Sequence, residues 1–163
     1  MRTFKRILLG LVALIALAAT LAAIEYYGGQ PMGLFSGSRP DNLGFNAGKF
    51  APPPWKPNCV SSTVDKADKH YIEPLPFTGA PADAWKKLLV TVKSSPNVTV
   101  ISGRNDYLYV EYKSAGLGFI DDVEFALDEK AGVIQVRSAS RLGIRDFGVN
   151  RSRIESIRAQ FSK

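Results

Sequence analysis

Eighteen consecutive residues near the N-terminus, ILLGLVALIALAATLAAI at Ile7–Ile24, carry no charge, and Thr20 supplies their one polar side chain. A surface helix needs a polar face, and this run has none. As a helix it would measure about 27 Å, close to the hydrocarbon thickness of a bilayer. The run therefore divides the chain, and any water-facing domain has to follow it. Arg2, Lys5 and Arg6 precede it, which favours an N-terminus left in the cytoplasm and a remainder that is exported. Two fates fit. One is a retained single-pass anchor in the inner (cytoplasmic) membrane, with the domain on the exported side. The other is a signal segment cleaved near Thr20-Leu21-Ala22, a small-x-small site, leaving a periplasmic or secreted protein. Residues 1–27 form this anchor or signal segment.

Residues 28–57, GGQPMGLFSGSRPDNLGFNAGKFAPPPWKP, are dense in glycine and proline. Glycine frees the backbone and proline removes a hydrogen-bond donor, so no regular element is expected. Phe35, Leu43, Phe45, Phe50 and Trp55 make the stretch too apolar for a solvated tether. The expectation is an extended arm whose second half lies on the domain at 58–163.

Within that domain, PADAWKKLLVTVKS at Pro81–Ser94 places Trp85, Leu88, Leu89 and Val92 on one helical face. Pro81 suits a first turn and Asp83 favours the positive helix start. NVTVISG and DYLYVEYKS flank the turn signal Gly103–Asn105 and read as a hairpin. GFIDDVEFAL and GVIQVRSAS, separated by DEKA, read as two more strands. A last helix opens at Asn150, whose side chain is suited to capping, and carries Ile154, Ile157 and Phe161 on one side. The fold class is α+β: a four-stranded, mainly antiparallel sheet with flanking N- and C-terminal helices, covered on one face and preceded by one transmembrane helix.

Alternation distributes the charges. In Phe119–Leu127 one face carries Phe119, Asp121, Val123, Phe125 and Leu127, and the other carries Ile120, Asp122, Glu124 and Ala126. Matching polar faces puts Asp122 opposite Arg137 and Glu124 opposite Gln135. Asp121 lies on the apolar side and needs a partner, for which Arg141, Ser138 and Ser140 are the nearest donors. Tyr107, Tyr109 and Glu111 share a face opposite the aliphatic one. As exposed tyrosines they would mark a contact surface or pack across a solvated sheet.

Three segments, KPNCVSS at Lys56–Ser62, GFIDDVEF at Gly118–Phe125 and VRSASRLGIRDFGVNRSRIESIR at Val136–Arg158, resemble the bacterial and plastid proteins grouped as domain of unknown function 1499. The likeness covers roughly residues 42–161. It implies one small domain, often behind a single membrane segment, and no activity. Many members carry a second cysteine just before NCVSS. Here that stretch reads FAPPPWKPNC, so no disulfide or metal role based on a cysteine pair carries over.

The net charge of +6 is local. Residues 1–24 hold three bases and no acid, 25–136 hold 11 bases and 13 acids, and 137–163 hold seven bases and two acids. A nucleic-acid binder spreads bases over a whole face, so nucleic acid is not the expected partner. Two readings fit the arginines of Arg137–Arg158. In the first they form an ion-pair lattice. Glu155 bridges Arg151 and Arg158, Arg137 and Arg141 pair with Asp121 and Asp122, and Asp146 takes Arg145 or a backbone N–H. In the second, Arg137, Ser138, Ser140, Arg141, Asn150 and Arg151, with Asp121 and Asp122, form a binding site beside the helix start. Its ligand would be a phosphate, a lipid headgroup or another anionic envelope component. The partners expected are thus the membrane, an anionic ligand or an envelope protein.

Cys59 is the single cysteine and cannot form a disulfide within the chain. Cys59, Asp65 and His70 lie within 12 residues, which raises the alternative of a cysteine-dependent hydrolase. One His and one Cys are too few for a structural zinc site. No phosphate-cradling or dinucleotide glycine motif is present, and GLG at Gly116–Gly118 precedes a strand, the wrong context. No cofactor is called for. The leading expectation is a membrane-anchored envelope protein that binds or braces rather than catalyses.

Overall fold

The computed structural model describes residues 10–17, 19–21, 35–114 and 117–163. The chain divides into two compact units, Met1–Leu34 and Phe35–Lys163. In the first, residues 10–17 and 19–21 are helical. Leu11, Leu14, Ile15 and Leu17 are all exposed. Among the described residues no helix is long and apolar enough to cross a membrane. Positions 7–9, 18 and 22–24 of the expected span lie outside the described residues.

The second unit carries a two-strand hairpin, β1 (Phe45–Asn46) and β2 (Lys49–Phe50), then β3 (Cys59–Ser61) and β4 (Leu75–Pro76). Helix α1 (Pro81–Lys93) leads to β5 (Val98–Gly103), β6 (Tyr107–Lys113), β7 (Ile120–Asp128) and β8 (Val133–Ser140), and α2 (Val149–Phe161) closes the fold. The sheet has six strands rather than the four expected. Its order is β3-β8-β7-β6-β5, with β4 also paired to β8. The two extra strands are two or three residues long, too short to show a period of two. They share the outer edge of β8, β3 at Arg137–Ala139 and β4 at Val133–Ile134. All strand pairs are antiparallel.

One sheet face meets both helices. Leu108 and Val110 of β6, Val123 and Phe125 of β7, and Ile134 and Val136 of β8 pack against Trp85, Leu88 and Val92 of α1 and Ile154, Ile157 and Phe161 of α2. Helix α1 forms where its apolar spacing placed it, with Pro81 in its first turn. Fully burying one such side chain is worth roughly 1.5–3 kcal/mol, so this layer supplies most of the driving force.

The other face is also covered, contrary to the expectation of a solvated side. Tyr107, Tyr109 and Ala126 are buried there beneath Phe50, with Leu43 and Phe45 packed alongside. The arm supplies this second layer. Phe45 and Phe50, paired across β1–β2, bring their rings to 4.9 Å. The tyrosines are therefore interior groups, while Trp55 of the arm, 74% exposed, stays outside.

Strand register differs from the expected one by two residues. Asp122 faces Ala139, Glu124 faces Arg137 and Ala126 faces Gln135. A shift of two keeps every side chain on its face. Asp122, Glu124 and Arg137 do share a side, and their partners change.

Candidate functional site

Asp121, Asp122, Arg137 and Arg141, singled out by the sequence, occupy both faces of one sheet region between the arm and α2, while Arg145 and Arg151 are exposed. On the arm face the backbone creates a problem that side chains solve. Glu111 of β6 lies directly opposite Asp122 of β7, and Tyr109 lies opposite Glu124. Two carboxylates side by side repel, more so away from water. Arg141, just past β8, bridges them. Its Nε donates to Asp122 Oδ2 at 2.9 Å, and its Nη2 donates to Asp122 Oδ1 at 2.7 Å, to the Tyr109 hydroxyl at 3.0 Å and to Glu111 Oε1. Arg39 of the arm donates to the same Glu111 oxygen from Nε and Nη2, at 2.9 and 2.6 Å. One residue further in, Arg137 Nη1 donates to Glu124 Oε2 at 3.0 Å. The other Glu124 oxygen accepts from the Tyr107 hydroxyl at 2.8 Å and the Gly44 N–H at 2.7 Å. Glu111, Asp122 and Glu124 are thus matched by Arg39, Arg137 and Arg141. Glu124 is 0% exposed and Asp122 1%.

The pKa shifts follow from this packing. Burial works against the Arg141 charge, but hydrogen bonds to Asp122 and Glu111 outweigh it and raise its pKa above the ordinary guanidinium value. Burial would raise Glu111, yet the guanidinium groups of Arg39 and Arg141 hold it below the usual carboxylate range. Burial and the hydrogen bond to Asp122 push the Tyr109 hydroxyl up.

On the helix face Asp121 pairs with Arg153 of α2 at 2.5 Å, not with Arg141, Ser138 or Ser140. Arg141 leaves the strand toward the arm face, while Arg153 hangs from the helix that covers Asp121 and lies over the Tyr112 ring. Arg153 Nη1 also donates to Asn150 Oδ1 at 2.8 Å and to the Ser138 hydroxyl at 3.0 Å, and that hydroxyl donates to Asn150 Oδ1 at 2.5 Å. The Asn150 amide donates to Ser140 Oγ, to the Asn58 carbonyl and to Asp146 Oδ2, at 2.9, 3.0 and 2.9 Å.

Asn150 is not the helix cap. Gly148 takes that place at φ 82°, a left-handed conformation, and Asn150 turns inward one residue inside α2. The helix start is closed by Asp146, whose carboxylate accepts from the N–H groups of Gly148 at 3.1 Å and Asn150 at 3.0 Å. Those bonds overcome burial and lower the Asp146 pKa. Glu155 pairs with Arg158 at 2.9 Å but not with Arg151. Arg151 Nη2 instead donates to the Tyr71 carbonyl at 2.7 Å, and Arg158 donates to the carbonyls of Glu73 and Pro74, both at 2.6 Å.

The sequence reading missed Arg39, Glu111, Arg153 and the two tyrosine hydroxyls as members of the network. Arg153 stands three residues after Asn150, one turn along the same helix face, so helical spacing could have paired them. Arg39, 72 residues before Glu111, left no local signal.

The hydrolase alternative meets a closed thiol. Cys59 is buried, its Sγ–H contacts the Val60 carbonyl at 3.7 Å, and burial pushes its pKa up to about 11. A nucleophilic cysteine needs the opposite shift. His70 is held from both sides, Nδ1 to Asp68 at 2.8 Å and Nε2 to the Lys56 carbonyl at 3.0 Å, while Asp65 accepts from the Ala67 N–H. The groove lined by Trp55, Asp68, Lys69 and His70 does not include Cys59.

Fold and network together define an antiparallel α+β domain whose sheet is braced on both faces by enclosed ion pairs. The chain belongs to the family described as protein of unknown function (DUF1499), which matches residues 49–161. No curated protein matches the chain.

Proposed function

We propose that this protein is a membrane-tethered domain of the bacterial cell envelope, and that it acts by binding or bracing rather than by catalysis. The observation that carries the reading is the uncharged run Ile7–Ile24 behind Arg2, Lys5 and Arg6. The exposed Leu11, Leu14, Ile15 and Leu17 agree with it, since such side chains need an apolar surrounding. The enclosed network supports the second half: Arg141 holds Asp122, Arg137 holds Glu124, Arg153 holds Asp121, Asn150 joins Ser138 to Ser140, and the Cys59 thiol is buried against the Val60 carbonyl. Arg145 and Arg151 face solvent at the start of α2, which favours an acidic surface as partner over an enclosed small anion.

The test is fractionation of cells expressing the full chain. The protein should stay in the membrane fraction through carbonate extraction, and protease should degrade its domain in spheroplasts but not in intact cells. Release by carbonate, or protection in spheroplasts, overturns the reading.

A further inference from the structure

The loop between β8 and α2 carries the most apolar exposed surface of the domain. Leu142, Ile144, Phe147 and Val149 all point outward, and Phe147 is 95% exposed. A ring that is almost wholly in water is unusual, and its backbone is unusual too. Phe147 has φ 53°, a left-handed conformation that bulky side chains avoid. Such a conformation persists when neighbouring bonds impose it. Here Asp146 imposes it, because its carbonyl accepts from the Val149 N–H at 3.1 Å and its carboxylate from Gly148 and Asn150. The fold thus holds the ring outward on a rigid turn.

Neighbouring segments extend the patch. The Arg141 N–H donates to the Ile120 carbonyl at 3.2 Å, which brings the exposed Leu117 of the preceding loop to the same end of the sheet. The Asn58 amide donates to the Gly143 carbonyl at 3.0 Å, three residues after the exposed Trp55. Three exposed bases stand among these side chains, and the exposed Asp68, which shares a groove with Trp55 and Lys69, has its carboxylate engaged by the His70 N–H and ring. Arg145 has no acidic partner among the described residues, Arg151 and Lys69 face solvent, and the Asp146 carboxylate is turned onto the helix start.

The chain enters the domain at this same end. The Phe35 ring lies 5.1 Å from that of Phe119. Gly37, at φ +63°, passes so close that a Cβ there would stand 3.0 Å from Arg141 Cβ and 3.1 Å from Leu142 Cγ. Ten residues separate Ile24 from Phe35, eleven Cα steps with a reach of at most about 40 Å.

From this we infer that the β8–α2 loop docks on the bilayer, with Phe147 and Ile144 entering the lipid interface and Arg145 meeting anionic headgroups. The inference rests on the tethered reading above and adds to it the surface that faces the membrane. Aromatic and aliphatic side chains rimmed by bases are the chemistry that an anionic leaflet accepts.

The experiment uses the full chain reconstituted in vesicles of phosphatidylcholine and phosphatidylglycerol. Phe147→Cys carries an environment-sensitive fluorophore. Lys130→Cys, in the β7–β8 turn about 25 Å away along β8, carries it in the control. Cys59 is buried, and the unsubstituted chain serves as the labelling blank. Brominated lipids should quench the probe at 147 several-fold more than the probe at 130, and removing phosphatidylglycerol should weaken that quenching. A chain that floats with vesicles while position 147 stays unquenched overturns the docking and leaves the tether standing. A probe at 147 that shifts to the blue without bromine quenching shows a protein surface over the loop, and also overturns it. A chain that fails to float at all overturns the tether, and the docking with it.

Discussion

Replacing Arg137 with methionine tests whether the enclosed carboxylates depend on their guanidinium partners. Glu124 is wholly buried, and Arg137 Nη1 supplies its one cationic contact among the described residues, at 3.0 Å. Methionine keeps much of the arginine stem and removes the charge. Glu124 would retain the Tyr107 hydroxyl and the Gly44 N–H, both on Oε1, and Oε2 would be bare. Breaking a buried pair from one side costs about 3–5 kcal/mol, because the remaining charge is stranded. For a domain of this size that is roughly 10–25 °C in Tm. The pair itself is worth far less, since an apolar or neutral replacement of both partners is often neutral. Glu124→Gln added to Arg137→Met keeps an acceptor for Tyr107 and Gly44 and removes the stranded charge. The double variant should recover to within about 1–2 kcal/mol of the unsubstituted protein. Thermal and urea unfolding of the full chain in mild detergent, followed by near-ultraviolet circular dichroism, measures both. The reasoning fails if Arg137→Met lies within about 1 kcal/mol of the parent, or if the double variant is no more stable than the single one.

Two further outcomes follow from the pKa shifts. Cys59, with its thiol pushed up to about 11, should react slowly with iodoacetamide at neutral pH in the folded chain and rapidly only once unfolded. Fast labelling of folded protein at neutral pH would revive the nucleophile. Glu111 and Asp146 have lowered folded pKa values, so their contribution to stability is full above the unfolded carboxylate range and is lost as pH falls through the folded values. The urea midpoint should therefore drop as pH falls below about 4.5, and Glu111→Gln with Asp146→Asn should flatten that slope. A midpoint unchanged between neutral and strongly acid pH would contradict the assignment.

The long elements were legible because each carries its own period. Helix α1 and strands β5 to β8 lie where apolar spacing and turn residues placed them. The two faces of β7 were also legible, since alternation assigns Asp121 and Asp122 to opposite sides whatever the register. The pairings were not. Register depends on the β7–β8 turn, where Ala131 N–H bonds the Asp128 side chain, and two residues of slip leave the pattern intact. The second covering layer was hidden for another reason. β1 to β4 are two or three residues long, and Phe50 and Leu43 find Tyr107 and Tyr109 only through long-range packing. Arginine enrichment in Arg137–Arg158 signalled a demand for carboxylates, but composition does not say that Glu124 would meet Arg137, Asp122 and Glu111 would meet Arg141, and Asp121 would meet Arg153.

The glycine- and proline-rich arm has a practical consequence. Gly44 donates to Glu124, Arg39 holds Glu111, and both precede the stretch that defines the family at residues 49–161. A recombinant fragment cut at residue 49 would keep every long strand and both helices. It would also uncap two acids and strip Leu43 and Phe45 from beside Phe50 on the tyrosine side of the sheet. Expression boundaries, fusion joints and engineered cleavage sites therefore belong before Phe35, because what reads as a spacer is the lid of the protein.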